Sequence, residues 1–213
     1  MDLSSSSTTA APRRLALRRL TRRLVQLYAG LLAYGISAAL LVRSDLGVMP
    51  WDVLHQGVSR RLGVDLGTVS IAVGTLVLLA WIPLRERIGL GTVSNVVLIG
   101  ASLDATLLIL PDGHSVLLRA GFAVSGVVLN GLATAAYIGA RFGAGPRDGL
   151  MTGLARRTGL SIRLVRTSIE VVVVAVGWAL GGTLGVATVA YALSIGPLAQ
   201  WFLPVLRVPA ASR

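Results

Sequence analysis

The chain has 213 residues, of which 54% are hydrophobic and 14% charged, and its 20 basic residues against 9 acidic ones give a net charge of +11. A water-soluble domain needs about a quarter of its residues charged, so this composition excludes an ordinary soluble globule and turns most of the exterior toward lipid. There is no cysteine and only two histidines, His55 and His114, which excludes disulfide scaffolds, iron–sulfur clusters and cysteine nucleophiles, and leaves no metal and no cofactor expected.

All basic residues are arginine, and they fall between apolar runs instead of gathering on one polar face, so no nucleic-acid surface is expected. In chain order, residues 1–23 are rich in Ser and Thr and then in Arg, and read as a disordered basic tail. Leu24–Val42 is an apolar run with no small-x-small cleavage site behind it, so it reads as a first membrane span and not as a signal peptide. Further apolar runs cover 66–84, 88–110 with Asp104 as its one charge, 120–140, and 167–206 with Glu170. The last is twice too long for one span, and Gly181-Gly182 divides it at a turn. Six spans result. With the N-terminus inside, 16 arginines fall on the inner side and 4 on the outer, which places both termini in the cytoplasm.

Sliding the chain on itself by 96 residues matches 45–104 with 141–200 without a gap, and 16 of the 60 positions are identical. The matches include Gly47/Gly143, Pro50/Pro146, Asp52/Asp148, Arg60/Arg156, Arg61/Arg157 and Thr92/Thr188. Chance pairing of apolar segments yields Val and Leu; it rarely aligns Gly, Pro, Asp and Arg together. Each unit holds three spans, an odd number, so two copies in one chain must lie upside down to each other, as in many secondary transporters. The expected fold is all-α, with six transmembrane helices in two inverted three-helix repeats, 24–111 and 117–206, and a short tail, 207–213.

Each first span ends in Gly-x-x-Pro-x-Asp, read as a glycine stop, a proline at the first turn of a new helix, and a carboxylate near its free N–H groups. A short broken or interfacial helix follows. In the first copy Trp51, Leu54, Val58 and Leu62 form the apolar stripe, while Asp52, His55, Ser59 and Arg60 take the other sides. Asp52 and Asp148 read first as helix-start caps and second as ligands. The Arg60-Arg61 and Arg156-Arg157 pairs read as interfacial anchors. Asp104 stands deep in the third span without a charged neighbour and is the foremost single candidate for a functional carboxylate, whereas Glu170 follows Arg166 at ion-pair spacing. Asn95, Asn130, Tyr191 and Gln200 suit interhelical hydrogen bonds. The candidate substrate-binding set is Asp52, Asp148, Asp104, Glu170, Arg147, Asn95 and Asn130.

The loop GVMPWDVLHQGVSRRLG, the turn GLGTVSN and the run YIGARFGAGPRDGLMTGLARRTGLSIRLVRTSIE resemble the YczE/YyaS/YitT-type bacterial integral membrane proteins, over about residues 24–205. The resemblance implies a multi-pass protein of the bacterial inner membrane, commonly described with five spans. Some relatives are grouped with small-molecule exporters and others with accessory roles near peptide natural-product synthesis. It brings no catalytic or ligand residues. The expected function is a small-molecule transporter or exporter with a site at the repeat interface. The alternative is a non-transporting accessory or scaffold protein, and an intramembrane aspartyl enzyme built on Asp52 and Asp148 is the least favoured. The expected partners are the lipid bilayer and a small-molecule substrate, with a homodimer left open.

Overall fold

The computed structural model describes residues 10–208 as eight α-helices, with no strand among the described residues. They are α1 (Ala10–Ser44), α2 (Pro50–Leu62), α3 (Leu66–Leu84), α4 (Leu90–Ile109), α5 (Val116–Gly139), α6 (Pro146–Thr158), α7 (Ile162–Ala179) and α8 (Val186–Leu206). Five stretches are long and apolar enough to cross a membrane: Leu17–Ser44 within α1, and α3, α4, α5 and α8. The 18-residue α7 carries Arg163, Arg166 and Glu170, which sets it apart from these five. Helix α1 begins inside the stretch expected to be a disordered tail. Residues 10–23 are helical, because Leu15, Leu17 and Leu20 interleave with arginines, all good helix formers, and extend the span without a break. The first nine residues of that tail, and residues 209–213, lie outside the described ones.

Both short helices start at a proline, end at a left-handed glycine (Gly63 and Gly159), and carry their aspartate in the first turn. The division expected at Gly181-Gly182 is present: Gly181 has φ of 98° and the Gly182 N–H donates to Gly177 O at 2.8 Å. Outside these turns the surface is apolar, with Leu108, Leu117 and Val186 each at least 80% exposed, which in water would be untenable and in lipid carries no cost.

Helices α1 and α5 pack along each other at the centre; α4 lies against α1 and α8 against α5. The short helices cross over: α2 packs on α7 and α6 on α3. The turns cross over as well. The Gly91 N–H donates to Phe142 O, and the Ala187 N–H donates to Leu46 O, each at 2.9 Å, so the start of each half's last helix is pinned to the loop ahead of the other half's short helix. In those loops Gly47 and Gly143 take φ of 120° and 124°, a region open to glycine and strained for any side chain. Thr92 and Thr188 are the third residues of their helices. Their hydroxyls accept from Gly89 N–H and Gly185 N–H, and that of Thr92 donates to Ala144 O at 2.8 Å.

The two ends of the described chain lie together. Gln26 Nε2 donates to Ala136 O and Leu206 O, at 2.9 and 2.7 Å, and the Val208 N–H donates to Gly139 O, so the early part of α1 shares one side with the C-terminal ends of α5 and α8.

Candidate functional site

The prolines that open α2 and α6 lie against one cavity of about 340 Å³, to which all eight helices add residues. Two helix N-termini open there, each presenting unsatisfied N–H groups and the positive end of a dipole. Neither Asp52 nor Asp148 caps its own helix with a side-chain bond. The Asp52 carboxylate is 4% exposed, and its Oδ1 lies 3.0 Å from His55 Nδ1 and 3.7 Å from the Arg147 guanidinium. With Asp52 ionised, His55 Nδ1–H donates to it, since a carboxylate only accepts, and Nε2 is left as the free nitrogen. The Tyr137 hydroxyl donates to Asp148 Oδ2 at 3.1 Å.

Arg147 spans the two halves. Its guanidinium sits 5.0 Å from the centroid of the Trp51 ring, so the first residue after the proline in one short helix stacks on its counterpart in the other. Trp51 and His55 line the cavity, 6% and 1% exposed, and their Nε1 and Nε2 atoms are buried with no hydrogen-bond partner. An unmet buried polar group costs about 1–3 kcal/mol, so two of them on one cavity wall mark where a polar ligand would be held.

A second asymmetry concerns tyrosine and asparagine. Buried Asn130 donates to Ser37 Oγ at 2.7 Å and accepts from the Tyr191 hydroxyl at 2.8 Å, which ties α1, α5 and α8 together. At the positions 96 residues earlier, Tyr34 and Asn95 carry the same two residue types exchanged, and both face the cavity.

Of the residues singled out from the sequence, Arg147, Asp148, Asn95 and Glu170 line this cavity, Glu170 paired with Arg166 at 2.9 Å, and Asp52 stands behind its wall against His55 and Arg147. Asp104 and Asn130 do not line it. Asp104, the foremost candidate, instead accepts from the Gly67 N–H at 2.6 Å and the Thr68 N–H at 3.1 Å and so caps the start of α3 from a different helix. Asp104→Ala is expected to cost about 1–2 kcal/mol through loss of that cap, read as a lower melting temperature in detergent, with function per folded molecule unchanged. Three of the four paired arginines also have protein partners. Arg60 donates to Gly181 O and Thr183 Oγ1, Arg156 to Leu84 O, and Arg157 to Pro83 O, so each short helix covers bare carbonyls at the end of a helix in the other half.

The family described as "Family of unknown function (DUF6198)" matches residues 21–204. The chain belongs to this family. Among its relatives, an "Uncharacterized protein" of Haemophilus influenzae is 43% identical over 176 residues, covering 82% of this chain and 81% of the relative. The "Uncharacterized membrane protein YczE" of Bacillus subtilis is 33% identical over 83% of both chains, and "Uncharacterized protein YyaS" of the same organism is 26% identical over 83% of this chain and 90% of its own. No solved structure matches. These relatives support the family resemblance read from the loops, and with the five apolar helices they make this DUF6198 member a membrane protein.

Proposed function

We propose that this chain is a six-span transporter or exporter of small molecules in the bacterial inner membrane, built from two inverted repeats, with its substrate site in the cavity between α2 and α6. The observation that carries the reading is the pair of broken helices whose N-termini, with Arg147 and Asp148, open onto one cavity lined by unpartnered Trp51 Nε1–H and His55 Nε2, with Asp52 directly behind His55 and Arg147. Short half-helices meeting at a polar site between repeats are the arrangement by which transporters bind a polar solute away from water. The contact between the ends supports six crossings: five apolar helices alone would leave the early part of α1 and the end of α8 on opposite sides, whereas they touch, and α7 would supply the even number. The arginine bias supports a cytoplasmic position for that shared side.

The test is a deletion strain complemented with wild type, Asp52→Asn or Asp148→Asn, scored for growth and efflux across amphipathic antibiotics and peptides, with membrane abundance measured in parallel. Deletion is expected to lower tolerance to at least one compound. Each variant is expected to fail to restore it while inserting normally, because an asparagine keeps a hydrogen-bonding oxygen but not the charge. Unchanged tolerance in both variants would remove the two carboxylates from the mechanism, and no phenotype on deletion would favour an accessory role.

A further inference from the structure

The two halves differ most where α3 meets α4. In the first half these helices touch backbone to backbone: a Cβ on Gly67 would overlap Gly100 O, and one on Gly100 would lie 2.6 Å from Ile71 Cγ1. Gly67, Ser70 and Gly74 form the small face of α3 that permits this approach. At the same positions 96 residues on, α7 carries Arg163, Arg166 and Glu170. The small packing face has become a charged one, and α7 and α8 have no packing comparable to that of α3 on α4. Gly196, the counterpart of Gly100, has nothing within 4 Å of where a Cβ would stand.

This gap is continuous with the cavity. Arg166 and Glu170 of α7 line it on one side, and Ala192, Gly196, Gln200 and Leu203 of α8 on the other. Gln200 stands where Asp104 stands in the first half, and α7 is capped by its own Ser161 Oγ, which leaves Gln200 free to face inward. From Ala192 to Leu203 the opening runs about 16 Å along α8, roughly half the hydrocarbon thickness.

We infer that the slot between α7 and α8 is a lateral portal through which a single-tailed amphipathic anion passes between the bilayer and the cavity. This rests on the transporter reading of the cavity and names the substrate class. The apolar wall of α8 accepts the tail. The two arginines against one glutamate along α7 favour a negative head, and inside the cavity Arg147 and the unpartnered Trp51 Nε1–H offer it donors.

The experiment uses the full chain in phosphatidylcholine nanodiscs with Trp178→Phe and Trp201→Phe. These remove the two exposed tryptophans (64% and 73%) and leave the buried Trp51 and Trp81 as reporters. Titration with 11-bromoundecanoate is expected to quench them saturably, and Gly196→Phe, which plugs the slot, is expected to raise the half-saturation concentration at least tenfold, while Gly196→Ala leaves it unchanged. A brominated alkyl trimethylammonium of equal length is expected to quench at least tenfold less well. Quenching that does not saturate, or that Gly196→Phe leaves unaltered in a protein of normal thermal stability, would overturn the portal. An intermolecular disulfide formed by Gly196→Cys in this cysteine-free chain would overturn it too, since a second copy would then fill the gap. The transporter reading fails separately, by absence of a deletion phenotype, and saturable slot-dependent binding would still uphold the portal in that event.

Discussion

Replacing Arg147 by methionine is expected to abolish function and to lower stability by about 2 kcal/mol, whereas adding Asp52→Asn to the same chain should return most of the stability and none of the function. The guanidinium is the cation facing Asp52, whose side chain is 5% exposed, and it also covers the Trp51 ring. Removing one member of a buried pair leaves the other charge uncompensated, at a typical cost of 3–5 kcal/mol. The lower figure fits here because Arg147 itself is 26% exposed in a cavity that water can enter, and 3.7 Å is a loose pair. Methionine preserves an apolar contact to Trp51, so the loss reports charge more than packing. The checks are thermal aggregation of the purified variants and the tolerance assay in the deletion strain. Stability of the double variant no better than that of Arg147→Met would mean that the arginine acts through Trp51 and not through Asp52.

The largest effect on stability is expected from Gly67→Val, whereas Gly196→Val, on the second-half counterpart of the Gly100 that it meets, should show almost none. A side chain at Gly67 must push α3 away from α4, since the atom it meets is the backbone oxygen of Gly100, which cannot rotate aside. It also displaces the Asp104 carboxylate from the N–H groups it caps. Overpacking of about 1–3 kcal/mol and loss of a cap of about 1 kcal/mol together predict roughly 3 kcal/mol, enough to deplete the protein from the membrane. Gly196→Val meets open space and is expected to stay within about 0.5 kcal/mol of wild type. Membrane abundance and detergent melting curves of the two variants measure this, and equal losses in both would mean that α7 and α8 close together as α3 and α4 do.

Much of this architecture was legible because Gly, Pro and Asp recur 96 residues apart, and each of them has a fixed meaning for the backbone: a stop, a start and a first-turn charge; the recurring arginines, read as interfacial anchors, instead cover carbonyls of the other half. The division at Gly181-Gly182 was read correctly for the same reason. The buried face of α2 was not legible. Amphipathic reasoning put Trp51, Leu54, Val58 and Leu62 on one stripe of an interfacial or broken helix and Asp52 and His55 on the other sides, but Trp51, Asp52 and His55 are buried together while Leu62 is 68% exposed. Lipid receives apolar side chains at no cost, so the rule that hides the apolar stripe lapses and the polar face can be the inner one. His55 could have been found by its spacing of three from Asp52 on a helix. Asp104 drew attention as a lone charge in an apolar run, and no spacing within α4 reveals that the start of α3 lies beside it. The exchange of Gly67, Ser70 and Gly74 for Arg163, Arg166 and Glu170 was present in the alignment all along, in its mismatches and not in its identities.

The crossed pinning of Leu46 to Ala187 and of Phe142 to Gly91 sets an order on biosynthesis. The loop ahead of α2 cannot be closed until the start of α8 has left the ribosome, which at 5–20 residues per second takes roughly ten to thirty seconds after Leu46 is made. Throughout that interval a glycine-rich loop and a short helix with two buried polar groups wait in a partly inserted chain. A gene cut between the two units would therefore yield two fragments that each lack the other's lid, and neither would complete its own polar centre unless both were made in the same membrane.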